Sequence, residues 1–184
     1  VSGPTVRRVH ATGTQAPECS GGAMATYSDT IEVDCPVRSV YDQWTQFEEF
    51  PQFMEGVQSV TQLDDTHLHW RAEIAGVERD WDAKIVEQEP DRVIAWRGDA
   101  GALNSGRVEF TPVDDTRTRV ELELDFQPEG FVEQVGDKLG FVKARVSGDL
   151  KRFKEYIESR VLPTGAWRGE VHGGRVEKGD SGTI

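Results

Sequence analysis

The chain has 184 residues, 36% hydrophobic and 29% charged, which suits one domain with a real hydrophobic core. Its formal net charge of -12 opposes a nucleic-acid partner and electrostatic attachment to an anionic membrane, since both need a basic surface. Two cysteines, Cys19 and Cys35, make neither a disulfide framework nor a zinc ligand set. No apolar run approaches the roughly 18–20 residues of a membrane helix, nor the core of a secretory signal, so a cytoplasmic setting without integral membrane association is expected.

Residues 1–24 are rich in Gly, Thr, Ser and Ala without a sustained period, and a flexible leader is expected there. Tyr27–Asp34 alternates and predicts a first strand. Pro36 suits the first turn of a helix, and the spacing of Val37, Val40 and Trp44 carries that helix to about Gln46. A second short helix is expected over Phe47–Met54, interrupted by Pro51, with Phe50, Phe53 and Met54 buried.

Six strand-like segments follow: Gly56–Leu63, Thr66–Ala75, Val77–Gln88, Arg92–Gly98, Ser105–Val113 and Thr116–Gln127. Turn chemistry separates them at Asp64-Asp65, Gly76, Glu89-Pro90-Asp91, the Gly-rich stretch before Asn104, and Asp114-Asp115. Short connections at regular spacing predict an antiparallel meander. Alternation places Leu68, Trp70, Ala72 and Ile74 on the dry face, with His67, His69, Arg71 and Glu73 opposite. Trp81, Ala83 and Ile85, and then Val120, Leu122, Leu124 and Phe126, continue the dry face.

Phe131–Val161 lacks proline and carries Val135, Leu139, Val142, Val146, Leu150, Phe153 and Ile157 at steps of three and four, which paints one helical stripe. Gly148 is expected to let the sheet approach closely, and Gly136 and Gly140 to leave the first turns pliable. Pro163 to Ile184 is dense in glycine and is expected to be a flexible tail, with Trp167 its only large anchor. The fold class is therefore α+β: a curved antiparallel seven-stranded sheet wrapped around a long C-terminal helix, with two short helices after the first strand. The domain is expected to run from residue 25 to 162.

This order of elements resembles the START-like, or helix-grip, superfamily (SRPBCC). Three local runs are similar to its bacterial polyketide cyclase/dehydrase-like branch. They are Val86-Glu87-Gln88-Glu89-Pro90-Asp91-Arg92-Val93-Ile94-Ala95-Trp96, Asn104-Ser105-Gly106-Arg107-Val108-Glu109-Phe110, and Asp149-Leu150-Lys151-Arg152-Phe153-Lys154-Glu155-Tyr156-Ile157-Glu158. The resemblance implies a cavity between sheet and helix that takes lipids, quinones or polyketide-like molecules, in some members with cyclisation or dehydration and in many with binding alone.

Acid–base catalysis needs a titratable group inside such a cavity, and the inward registers supply almost none. Arg97, Glu109, Asp80 and Asp82 fall on outward registers. His67 and His69 face one side of a strand but lack a third metal ligand, so no metal site is expected. Ser39, Ser59 and Ser147 lack a nucleophile-elbow context, and no phosphate loop precedes a helix. No catalytic residue and no cofactor are assigned.

The positive signal is aromatic, because Trp offers a wide apolar wall and one N–H donor. The expected ligand-binding residues are Trp70, Trp81, Trp96, Phe110, Leu122 and Leu124 from the sheet, Leu139 and Val142 from the helix, and Asn104 as a polar group. The Gly98–Gly106 connection and the start of the last helix are expected to form an entrance. The leading reading is a binding or carrier protein for a hydrophobic small molecule. An aromatic polyketide cyclase/dehydrase and a protein-interaction module are the alternatives.

Overall fold

A computed structural model describes residues 25–98, 104–126, 137–160 and 162–177. Strand β1 (Ala25–Val33) leads through α1 (Val37–Trp44) and a 3₁₀ turn (Phe47–Gln52) into a meander. The meander comprises β2 (Val57–Gln62), β3 (His67–Ile74), β4 (Val77–Glu89), β5 (Val93–Gly98), β6 (Asn104–Asp114) and β7 (Arg117–Phe126). Helix α2 (Lys138–Glu158) follows, and then a hairpin of β8 (Glu170–His172) and β9 (Arg175–Glu177). The main sheet order is β1-β7-β6-β5-β4-β3-β2, with consecutive meander strands as antiparallel neighbours and β1 closing on β7.

The turns explain the register. Ala75 and Gly76 both have positive φ, 51° and 80°, and join paired Ile74 and Val77 as a two-residue hairpin loop. Two other hairpins use the same Asp-Asp-Thr sequence. Asp64 accepts the Thr66 and His67 backbone N–H groups at 2.8 and 2.9 Å, and Asp114 accepts that of Thr116 at 2.9 Å. These bonds, made to the charged carboxylate, hold both acids down to about 2.

The concave face holds the core. Val142, Val146, Leu150, Phe153 and Ile157 of α2 are all buried, together with Val60, Leu68, Ile85, Ile94, Val108, Val120 and Leu122 of the sheet. Phe50 and Phe53 are buried as expected, while Met54 is half-buried. Trp44 sits at the centre, edge-on to Phe153 with ring centroids 4.7 Å apart. The described helix starts at Lys138, with Asp137 accepting the Gly140 N–H at 2.9 Å; residues 131–136 of the expected helix lie outside the described residues. Gly148 has a different reason from the expected one. A side chain there would meet the Arg152 guanidinium at 3.2 Å, not the sheet.

Two differences from expectation have one cause. The sheet has nine strands, not seven, because part of the expected flexible tail pairs with it. Strand β4 outruns β3, whose last partner on it is Lys84, so the end of β4 would present an open edge. Strand β8 covers that edge, with His172 opposite Glu87 and Val171 opposite Gln88. Val171 is fully buried despite the surrounding glycines.

The same segment satisfies polar groups of α1. Thr164 exchanges two hydrogen bonds with buried Gln43, and the Trp167 N–H donates to Thr45 Oγ1 at 3.0 Å. Arg168 donates to Asp42 at 2.6 Å and grips Asp91 through both Nη atoms at 3.0 and 2.6 Å. Removing the guanidinium leaves the mostly buried Asp42 carboxylate with the longer, 3.8 Å contact to exposed Arg38 as its remaining ion pair among the described residues. Arg168→Met should therefore lower unfolding free energy by about 2 kcal/mol in urea titration, against well under about 0.5 for an ordinary surface change.

Candidate functional site: an apolar cavity beneath the long helix

Between α2 and the sheet lies a cavity of about 150 Å³. Strand β3 contributes Leu68, Trp70, Ala72 and Ile74; β4 gives Trp81 and Ile85; β5 gives Ile94 and Trp96; β7 gives Leu122 and Leu124. The opposite wall is Phe141, Val142, Arg145, Val146 and Asp149 of α2, with Trp44, Phe47, Phe50, Met54, Glu55 and Val57 at the sides. Every sheet residue in this lining falls on the dry register, so strand periodicity alone brings them together.

Trp70 and Trp81 are direct cross-strand partners whose rings stack with centroids 5.8 Å apart and planes within 10°. Both indole N–H groups are buried and have no acceptor among the described residues. Trp96 lies over Gly106, its direct partner on β6, where any side chain would collide with the indole. That collision gives the glycine in the Asn104–Phe110 run its physical reason.

Of the expected ligand-binding residues, Trp70, Trp81, Trp96, Leu122, Leu124 and Val142 line the cavity. Phe110 does not. It is buried edge-on to Tyr41 and 6.0 Å from Trp44, in the core beneath α1, because its end of β6 lies under that helix. Asn104 begins β6, and Leu139 lies in the first turn of α2; their side chains fall outside what is described. The expected entrance lies largely outside the described residues as well, at 99–103 and 127–136.

One end of the cavity is charged. Arg145 Nη2 donates to the Glu55 and Glu73 carbonyl oxygens, and Arg152 Nε donates to that of Phe53 at 2.9 Å. Asp149 accepts the Glu55 N–H at 2.9 Å and is hydrogen-bonded by Arg152. Helix α2 thus holds the backbone of residues 53–56, which forms the rim. Burial raises the Asp149 carboxyl, outweighing the bonds from Glu55 and Arg152 that oppose the rise. These residues escaped the sequence reading, although Arg145 and Asp149 are spaced i, i+4 beside Val142 and Val146 on the buried edge of the stripe.

The polar residues expected outside the cavity lie outside it. Asp80, Asp82, Arg97 and Glu109 are exposed. His67 pairs with Asp64 at 2.8 Å and His69 with Asp82 at 2.6 Å, each half-open to solvent. Ser147 bridges Tyr27 and Asp29 between α2 and β1. Glu170, His172 and Glu177 bring their ligand atoms within 4.8 Å on the exposed β8–β9 hairpin, far in sequence from the cavity walls. No described helix is long and apolar enough to cross a membrane.

Residues 33–155 match the model of the family described as polyketide cyclase / dehydrase and lipid transport. The chain belongs to this family. An uncharacterised 17.2 kDa protein from the melC2-rnhH intergenic region of Streptomyces lincolnensis is 50% identical over 149 residues, 80% of this chain and 99% of that protein. The fold is also similar to a START superfamily protein from Mycobacterium smegmatis, with TM-score 0.62, 16% identity, and coverage of 73% of this chain and 97% of that one. The Zhui aromatase/cyclase from Streptomyces sp. R1128 is similar at TM-score 0.61 and 20% identity, covering 79% of this chain and all 100% of the other. At these identities the structural likenesses establish the helix-grip fold. The cavity sits where that fold closes its sheet on the helix.

The charged rim yields two predictions. Gly56 has φ +71°, and a Cβ there would stand 2.5 Å from the Glu73 carbonyl oxygen and collide with Arg145. Gly56→Ala should cost roughly 1–3 kcal/mol in denaturant titration. Asp149 has a folded pKa above its unfolded value, so its contribution is fully present below the unfolded value and fades as pH rises through the folded one. The stability of Asp149→Asn relative to the native protein should therefore rise as pH increases above the ordinary carboxylate value of about 4, as read from unfolding curves at successive pH values.

Proposed function

We propose that this protein binds and carries a hydrophobic small molecule in the cavity beneath α2. The observation that carries this reading is a wall of four indoles, further aromatic rings and aliphatic side chains, with charge confined to the Glu55, Arg145 and Asp149 end. Such a wall gains affinity by removing apolar ligand surface from water, at roughly 25 cal/mol per Å² before the costs of association. Membership of a family that includes lipid transport supports the same reading.

One feature favours a second reading, an aromatic polyketide cyclase. Asp149 is a mostly buried carboxyl in the cavity wall whose pKa is raised by burial, the direction of shift that a general acid needs. The Zhui aromatase/cyclase has the same fold. The carrier reading ranks first because Asp149 is already engaged by Arg152 and the Glu55 N–H.

Native mass spectrometry of gently purified protein should reveal a co-purifying hydrophobic mass. Trp81→Ala should weaken binding of an apolar fluorescent probe by about tenfold while circular dichroism stays native. Absence of any bound mass, with no binding across a lipid and quinone panel, would overturn the carrier reading. Turnover of a polyketide mimic that vanishes in Asp149→Asn would assign the cyclase instead.

A further inference from the structure

Arg145 is the one guanidinium in the cavity lining. Its Nη2 is engaged by two backbone carbonyls, while its Nε and Nη1 have no hydrogen-bond partner among the described residues. Two carboxylates share this end of the cavity, and both are turned to other partners. Asp149 bonds Arg152 and the Glu55 N–H, although it also feels the charge of Arg145. The Glu55 carboxylate is 65% exposed and lies 3.4 Å from Arg152. Arg145 enters no ion pair among the described residues, so the charged end of the cavity offers a cation with free donors beside two carboxylates that are engaged by other groups.

Size limits the partner further. A cavity near 150 Å³ corresponds to an occupant of one or two rings or a short chain, well below the roughly 300–1,000 Å³ of pockets that enclose large ligands. The flat Trp70–Trp81 stack and the indole of Trp96 suit a planar apolar body. A guanidinium presents paired N–H donors whose fork matches a carboxylate.

We infer that the cavity takes a small apolar monocarboxylate, its body against the indoles and its carboxylate on the free donors of Arg145. This rests on the carrier reading and names its ligand class. Orientation follows from the same arrangement: the head stays on Arg145, beside the Glu55 and Glu73 carbonyls, and the apolar body lies along the indoles.

Calorimetric titration of the full chain with 2-naphthoate, methyl 2-naphthoate and naphthalene tests it. The acid should bind about tenfold tighter than its ester at low salt, and Arg145→Gln should bring the acid-to-ester ratio to about one. Equal affinity for all three probes would overturn the assignment of Arg145 and leave the carrier reading standing. A variant that weakens acid and ester alike would also overturn it, by reducing Arg145 to a support of the rim. Binding of none of the three would overturn the ligand class, with the co-purified mass judging the carrier reading separately. Should Arg145→Gln not fold, the acid-to-ester ratio of the native protein decides the outcome, and Arg145→Lys should retain part of that ratio.

Discussion

Everything in this molecule depends on one helix lying in the bend of one sheet. The apolar stripe of α2 has no stable alternative in water, and the dry face of the meander has none either. Their contact is close along Val146, Leu150, Phe153 and Ile157, where Trp44 and the Phe50–Phe53 pair fill the remaining space. Toward the start of the helix Phe141 packs on Ala72 and Ile74, and together with Val142 it lines the cavity. The cavity is thus the unfilled end of the hydrophobic contact that folds the protein, not a separate construction.

The edge of that contact is managed by charge. Arg145, Asp149 and Arg152 occupy successive turns of α2 and take backbone groups of Phe53 and Glu55, in the connection between the 3₁₀ turn and β2. An irregular rim is thereby fixed without an apolar filling. Mostly buried Asp149 is tolerated because a guanidinium and an N–H face it.

The sheet was legible because its periods are clean. Leu68-Trp70-Ala72-Ile74 and Val120-Leu122-Leu124 alternate without interruption, and the Asp-Asp-Thr turns announce themselves by composition. What stayed hidden needed knowledge of neighbours. Phe110 has the right register for the cavity and misses it only because α1 crosses at its end of β6. Arg145 and Asp149 read as the polar side of an amphipathic helix until the loop they hold is in place. The hairpin after α2 contains only three residues in each strand, and its glycines resemble those of a tail. Its order derives from the open end of β4 and from Asp42, Gln43 and Thr45, polar residues of α1 and its end that would otherwise be stranded in the interior.

That hairpin also sets a condition on biosynthesis. Strand β1 waits for β7, and the groups on α1 and the edge of β4 wait for residues 164–172, more than 120 positions after the first of them, Asp42. A nascent chain emerging from the ribosome holds most of its sheet while these groups remain uncovered. The native structure closes only after residues 164–172 have emerged, so the domain completes its fold as one unit instead of strand by strand as it is made.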